Sequence, residues 1–450
     1  MSNPYKSPSP SSEPNAESKP AEKSWLSDPR AKWQITILLT MYVGYAAFML
    51  CRNTLGAASP AMMEDPTIAM DKASFGRLMS WHSAGAIAGK LVTGIGADLL
   101  GGRRMFMIAL SLTAVANIGF ALSSSLVMMG VFNFFGQFFK AGGWPAMTKL
   151  VAQWYPQQRY GQVWSIISTS SRVGTITAGI FLGFLLGVMP WRWVFVVSAI
   201  MTLFAVIGAF FLLRNRPEDV GLLPLKADET PLEENAAVGH PFDDLTVGQV
   251  CYRFVASGRF WLICLSICFL TILMDFINFI PIYLQEVLSI PANRASMAGS
   301  AFPTGMFLAL IATSFLYDKM TKRRLIYVLG GLLAASCVCV IALWNLGNVP
   351  IGPSLRTPLA IGLIFVFGFA ISPAYYIPMS IFAVKFGGRH AGFLVALIDV
   401  CGYSGAWLFN YFGGSIAQDY GWSVFLVGLL SITVAATLSM VSFLTIDYRK

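Results

Sequence analysis

Stretches of about twenty apolar residues follow one another along most of the chain, each closed by a short loop carrying Gly, Pro, Asp, Lys or Arg. Twenty residues of α-helix rise about 30 Å, the thickness of a bilayer's hydrocarbon core, so each stretch predicts a membrane-crossing helix. A first set of six covers residues 33–55, 75–100, 105–122, 126–151, 161–188 and 193–213. From Arg214 to about Gly258 the pattern stops, and Pro, Asp, Glu and His240 take its place. A second set of six covers 260–287, 298–316, 325–346, 359–384, 392–416 and 424–444. The pattern therefore predicts an all-α, multi-pass integral membrane protein of about twelve transmembrane helices in two six-helix bundles. The first bundle is expected over 31–214, a cytoplasmic linker over 215–258, and the second bundle over 259–450. Residues 1–30 are rich in Ser, Pro, Glu and Lys and have no apolar run. They read as a disordered cytoplasmic tail, not a signal peptide.

Composition agrees with the pattern. Hydrophobic residues make up 56% of the 450 and charged ones only 12%, against roughly 45–50% and 25% in soluble domains. A single water-soluble core is excluded. The charge bias sets an orientation, because cytoplasmic loops collect Lys and Arg. With the N-terminus inside, only Lys72, Arg77, Arg192, Arg294 and Arg356 of the 31 Lys and Arg fall on outer segments. Four more lie within apolar helices, and the rest fall on inner segments or the tail. Both termini are expected in the cytoplasm, with the chain in a plasma or inner membrane, and the net charge of +9 mostly reflects this bias. Nothing in it calls for nucleic acid. The seven cysteines lie in apolar segments or on the cytoplasmic side and read as free thiols. Cys264 and Cys268 stand one helical turn apart, but no His or second Cys pair accompanies them, so neither a metal nor another cofactor is expected.

The halves echo each other. Asp98 is followed five and six residues later by Arg103 and Arg104, and Asp318 is followed at the same spacing by Arg323 and Arg324. Trp193, Val194 and Phe195 in the first half find a counterpart in Trp422, Val424 and Phe425 in the second. Such repeats are how many secondary transporters are built. Gly94, Gly96, Gly101 and Gly102 around Asp98 allow close helix approach and a tight turn, while Asp98 can pair with cytoplasmic cations and lock one conformational state.

The cations inside apolar helices are Arg52, Lys90, Lys140 and Arg172, all in the first half. Each costs on the order of 2.5–3.5 kcal/mol at a helix centre, so such residues face a cavity or a partner. With no acid nearby in sequence, they read as uncompensated and as an anion site. Arg suits that task through its planar fork and Lys through its compact charge. Blander readings stand beside this one: snorkelling for Arg52, a structural role for Lys90, snorkelling or pairing with an acid in the other half for Lys140, and a structural hydrogen-bonding hub for Arg172 within Ser168, Thr169, Ser170 and Ser171. Asp275 and Asp399 are the clearest acids in apolar segments, and each can neutralise a cation across a central cavity or carry a coupling proton. Tyr375 and Tyr376, between Pro373 and Pro378, can donate to an anion or simply pack. His82 reads more readily as a satisfied helix histidine than as a ligand.

The segment Gly94, Ile95, Gly96, Ala97, Asp98, Leu99, Leu100, Gly101, Gly102, Arg103, Arg104 resembles the loop motif of the major facilitator superfamily, with Leu99 where a basic residue is familiar. Gly44, Tyr45 and Arg52, then Ser83, Ala84 and Lys90, then Gly143, Trp144 and Pro145 with Trp154 and Tyr155, resemble its organophosphate:phosphate antiporter branch. So does the run from Arg216 to Leu222. That resemblance implies a major facilitator fold, an arginine at 52 and a lysine at 90 that serve a phosphate group, and exchange of a sugar phosphate or glycerol phosphate for inorganic phosphate. The chain departs from the branch at three places. Pro281, Tyr283 and Leu284 align with its seventh helix, but its second phosphate-binding arginine falls on Leu273, with Asp275 close by. Ser171 and Arg172 stand where bacterial carriers have a histidine, and Lys140 stands where a glutamine is usual.

The expected activity is thus alternating-access transport of a small organic anion. The expected substrate site is Arg52 and Lys90, assisted by Arg172, Lys140, Tyr45, Tyr375 and Tyr376. Coupling or gating is expected of Asp275, Asp399, Asp98, Arg103, Arg104, Asp318 and Arg323. The expected partners are the organophosphate, inorganic phosphate and the lipid bilayer, with the chain acting as a monomer. The alternatives are proton-coupled symport of a sugar acid or other carboxylate, and a ligand sensor built on a transporter fold. No nucleophile, base and metal constellation suggests an enzyme.

Overall fold

The computed structural model describes residues 29–224, 245, 247–317, 320–346, 352–387 and 390–448. Every predicted apolar stretch within these residues is helical over most of its length. The first half holds α1 (Pro29–Met63), α2 (Lys72–Leu100), α3 (Gly102–Leu122), α4 (Leu126–Lys140), α5 (Gly143–Trp154), α6 (Tyr160–Leu186) and α7 (Trp191–Leu212). The second holds α8 (Val247–Val255), α9 (Gly258–Asp275), α10 (Ile280–Leu288), α11 (Ala292–Gly299), α12 (Ala301–Tyr317), α13 (Lys322–Asn345), α14 (Pro353–Gly387), α15 (Ala391–Asp419) and α16 (Gly421–Tyr448). Ten helical stretches are long and apolar enough to cross a membrane. α2, which carries Lys72, Arg77 and Lys90, and the broken pair α4–α5 are the further elements that the expectation of twelve crossings would need.

Three predicted helices are split, and each split lies one helical turn ahead of a proline. Pro145, Pro281 and Pro303 have no N–H to give the carbonyl four residues back, so the helix gives way near Ala141, Ile277 and Gly299. The results are the α4–α5 break, a 3₁₀ turn at Phe276–Asn278 between α9 and α10, and the α11–α12 break at Ser300. Elsewhere the turns carry the expected chemistry. Asp71 caps α2 by accepting the Ser74 N–H at 2.7 Å, and Gly101, at φ +77°, turns the chain from α2 into α3.

The stretch predicted as a linker contains a helix. In α8, Val250 and Phe254 are fully buried, and Phe254 lies 5.7 Å from Phe386 and 6.4 Å from Phe260, ring centre to ring centre, so α8 packs on the second half. In the orientation the charge bias predicts, the 63–72 and 288–292 connections lie at the outer end. There the halves touch backbone to backbone: a Cβ on Gly76 of α2 would stand 2.4 Å from the Asn410 carbonyl of α15, and one on Gly183 of α6 would stand 2.8 Å from the Asn293 carbonyl of α11. Lys72 pairs with Glu286 at 2.8 Å, Trp422 Nε1 donates to the same carboxylate at 2.8 Å, and Gln285 donates to Glu64.

Candidate functional site

Between the halves lies a cavity of about 140 Å³. Its first-half wall comes from α1 and α6, which contribute Arg52 and Arg172; its second-half wall comes from α9 and the turn after it, α12, α14 and α15, and carries Asp275, Tyr375, Tyr376 and Tyr403. Arg52 sits beyond the middle of α1 and makes no hydrogen bond or ion pair among the described residues, leaving its fork open to the cavity. Arg172 is partly engaged: its Nη1 donates to the Ser168 carbonyl at 2.6 Å, and its guanidinium lies 4.5 Å from the centre of the Tyr376 ring on the opposite wall. Its buried Nε has no partner among the described residues. The hub reading of Arg172 and the cavity reading therefore both describe it.

Asp275 is the last residue of α9, where the Pro281 break begins, and is 7% exposed. Its Oδ2 accepts from Asn410 Nδ2 at 2.8 Å, and the same amide donates to Ser83 Oγ at 3.2 Å across the halves. Asp275 and Arg52 line one cavity without approaching to ion-pair distance.

The picture of four uncompensated cations needs correction. Lys90 forms an ion pair with Asp399 of α15, and its Nζ also lies 4.9 Å from the Tyr403 ring centre. The partner was invisible nearby in sequence because it comes from the other half, 309 residues away. Lys140, the last residue of α4, faces Tyr45 at 5.8 Å from its ring centre, and Tyr45 is buried against Phe48 and Trp144. The structure thus brings Arg52, Arg172, Asp275, Tyr375 and Tyr376 to one cavity, while Lys90, Lys140 and Tyr45 stand outside its lining.

The loop residues are local. Asp98 pairs with Lys149 of α5 at 2.5 Å, the two side chains being 63% and 48% exposed. Arg103 ties α3 to the end of α7, its Nη2 donating to the Phe210 carbonyl at 2.8 Å and its backbone N–H to Asn215 Oδ1 at 2.9 Å. Arg104 is exposed, and Arg323 reaches Tyr327 Oη at 3.4 Å. Asp318 lies outside the described residues. His82 is buried with an Nδ1 that has no partner among the described residues. Among the described residues no group of three or more His, Cys, Asp or Glu is placed to hold a metal ion.

Sequence reasoning missed Tyr403 and Asn410, and it met Ser83 only as part of a resemblance, with no role of its own. Tyr403 follows Asp399 by one helical turn and shares its face, a signal that was there to read. Asn410 had none, since its value lies in bridging Asp275 and Ser83. A larger concavity, about 880 Å³, lies between α1, α6 and α7, but its lining includes Leu39, Val43 and Phe204, which are apolar and turned outward, as a lipid-facing surface requires.

A family model described as Major Facilitator Superfamily matches residues 41–410. The chain is 26% identical over 425 residues to a probable hexose phosphate transport protein of Chlamydia trachomatis serovar D, covering 90% of this chain and 89% of that one. It is also 26% identical over 420 residues to the membrane sensor protein UhpC of Escherichia coli K12, covering 90% of each. Among solved structures it resembles a bacterial homolog of the human lysosomal transporter Spinster, in its inward-facing and unoccupied conformation. The TM-score is 0.66 at 17% identity, covering 92% of this chain and 94% of that one.

Proposed function

We propose a substrate class on one premise: the chain belongs to the Major Facilitator Superfamily. The proposed substrate is a phosphorylated sugar, glycerol phosphate or related organophosphate, carried by alternating access in exchange for inorganic phosphate. One observation carries the reading: Arg52 opens into a cavity between the halves with no ion-pair partner among the described residues, and Arg172 stands on the same wall. A planar fork, half-buried and unpaired, favours an oxyanion that offers two oxygens. The resemblance of Gly44, Tyr45 and Arg52 to the organophosphate:phosphate branch supports this, as does the similarity to a probable hexose phosphate transport protein. In this reading Lys90 and Asp399 act as a contact between the halves that breaks and re-forms during the cycle, and Lys140 and Tyr45 tune the field at Arg52. The multi-pass chain would work as a monomer in a plasma or inner membrane with both termini cytoplasmic.

Exchange follows from electrostatics. A cavity left with an unpaired guanidinium resists closing over empty space, because moving that charge through a dry interior without an anion is costly. The test is reconstitution into liposomes loaded with labelled phosphate, with organophosphates or sugar acids added outside and Arg52→Ala as control. Efflux driven only by an organophosphate, and lost in the variant, supports antiport. Acid-dependent uptake of a sugar acid without phosphate exchange sinks it in favour of carboxylate symport. The similarity to UhpC supports one further reading, a sensor, which would bind an organophosphate and show no flux with either ion gradient.

A further inference from the structure

The two walls of the cavity differ in sign. Arg52 and Arg172 stand on the first-half wall, and the only carboxylate lining the cavity among the described residues is Asp275, on the second. The side chain at 273 is Leu, fully buried, so nothing there repeats the cation of the opposite wall. Asp275 is held in place: Asn410, itself fully buried, fixes Oδ2 at 2.8 Å, and the α9 break before Pro281 leaves the carboxylate at a helix end. The other oxygen, Oδ1, makes no hydrogen bond among the described residues. The polar groups that share the cavity with it include the hydroxyls of Tyr375, Tyr376, Tyr403 and Thr271 and the open fork of Arg52.

We propose that Asp275 is the specificity-determining acceptor of this cavity, selecting oxyanions that carry a hydrogen-bond donor over oxyanions that carry none. The proposal rests on the organophosphate reading and deepens it. An ionised carboxylate only accepts. An anion gripped by Arg52 must therefore present a hydrogen toward the facing wall, or bring one bare oxygen against another. Hydrogen phosphate offers its P–OH, and a sugar or polyol phosphate offers hydroxyls, the nearest on the carbon next to the phosphate-bearing one. Sulfate has the same charge and nearly the same shape as hydrogen phosphate in mildly alkaline solution, and has no hydrogen to offer. A buried acceptor left unpaired costs enough to reject the wrong ligand by about tenfold or more.

The experiment is calorimetric titration of the purified full-length chain, in detergent at mildly alkaline pH, with inorganic phosphate, sulfate and glycerol 3-phosphate. The wild-type protein should bind phosphate and glycerol 3-phosphate at least about tenfold more tightly than sulfate. Asp275→Asn, whose amide can donate, should narrow the phosphate-to-sulfate ratio to within about twofold, with thermal midpoint and elution volume as checks on the fold. Equal wild-type affinities for phosphate and sulfate overturn the proposal without any variant and leave the organophosphate reading intact. A variant that shifts both affinities by one common factor, leaving their ratio as in the wild type, overturns it too, since a common gain is what removing a negative charge does to any anion. Failure of the wild type to bind any of the phosphate compounds fells the parent reading, and this proposal with it.

Discussion

Lys90 of α2 and Asp399 of α15 neutralise each other across the two halves, beside the cavity and not within its lining. The pair is mostly withdrawn from solvent, its side chains retaining 28% and 16% of their exposure. Its worth lies less in the attraction gained than in the charge left behind when one partner is lost.

Lys90→Ala or Asp399→Ala alone should therefore lower the thermal midpoint in detergent, with a cost of about 2–4 kcal/mol. The exchanged pair, Lys90→Asp with Asp399→Lys, should recover at least half of the loss. A double exchange no better than either single change would mean that the two side chains meet without energetic consequence.

Arg52 separates charge from geometry. Arg52→Lys keeps the charge and loses the fork, and should slow organophosphate-driven phosphate efflux by about tenfold; Arg52→Ala should slow it by about a hundredfold, in line with about 1.5–3 kcal/mol per charged hydrogen bond. Equal rates for wild type and Arg52→Lys would show that a point charge suffices.

Arg172 and Tyr376 meet across the cavity at 4.5 Å. Because the attraction belongs to the ring and not the hydroxyl, Tyr376→Phe should preserve it and Tyr376→Leu should not. A double-mutant cycle with Arg172→Ala, read as thermal stability, should give a coupling of about 0.5–2 kcal/mol. A coupling of zero would reduce the contact to proximity.

At the outer end, Glu286 holds both Lys72 and Trp422. Glu286→Gln should loosen that closure. In a background freed of the seven native cysteines, a single cysteine at Asn53, which lines the cavity, should react several-fold faster with an impermeant maleimide added from the Lys72 side. An unchanged rate would assign the closure to other contacts.

Two glycines of α2 should behave in opposite ways. A Cβ at Gly85 would stand 2.1 Å from the Phe134 carbonyl of α4, whereas one at Gly94 meets nothing within 4 Å. Gly85→Ala should destabilise the fold by about 1–3 kcal/mol or more, as overpacking does. Gly94→Ala should be neutral or stabilising by up to about 1 kcal/mol, because alanine is the better helix former. Thermal midpoints of the two variants decide it.

The helices were legible because lipid imposes a length: an apolar stretch of about twenty residues has little to become except a crossing helix. The breaks were signalled by Pro145, Pro281 and Pro303, although continuous helices were predicted there. Arg52 and Arg172 could be found because a charge inside an apolar run is costly wherever it points. Their surroundings could not. Whether Lys90 was free or paired depended on how α2 lies against α15, and that register is set by the packing of Gly76 on Asn410 and Gly414. Nothing local to Lys90 encodes it. The burial of α8 was hidden for a related reason: Val250 and Phe254 sit within a polar stretch, and only their spacing of four residues marks a common face.

The run of α2 from Lys72 to Lys90 has a mechanical meaning. Eighteen residues of unbroken helix make a rod of about 27 Å, and α2 contains no proline. Gly85 and Gly89 clamp this rod to α4, while Gly76 rests on α15. The contact at Lys72 and the contact at Lys90 are thus two points on one lever, which can tilt but cannot flex between them. A passage open at both faces at once would have to bend α2 between these two contacts, so part of the barrier to leakage is built into the stiffness of a single element.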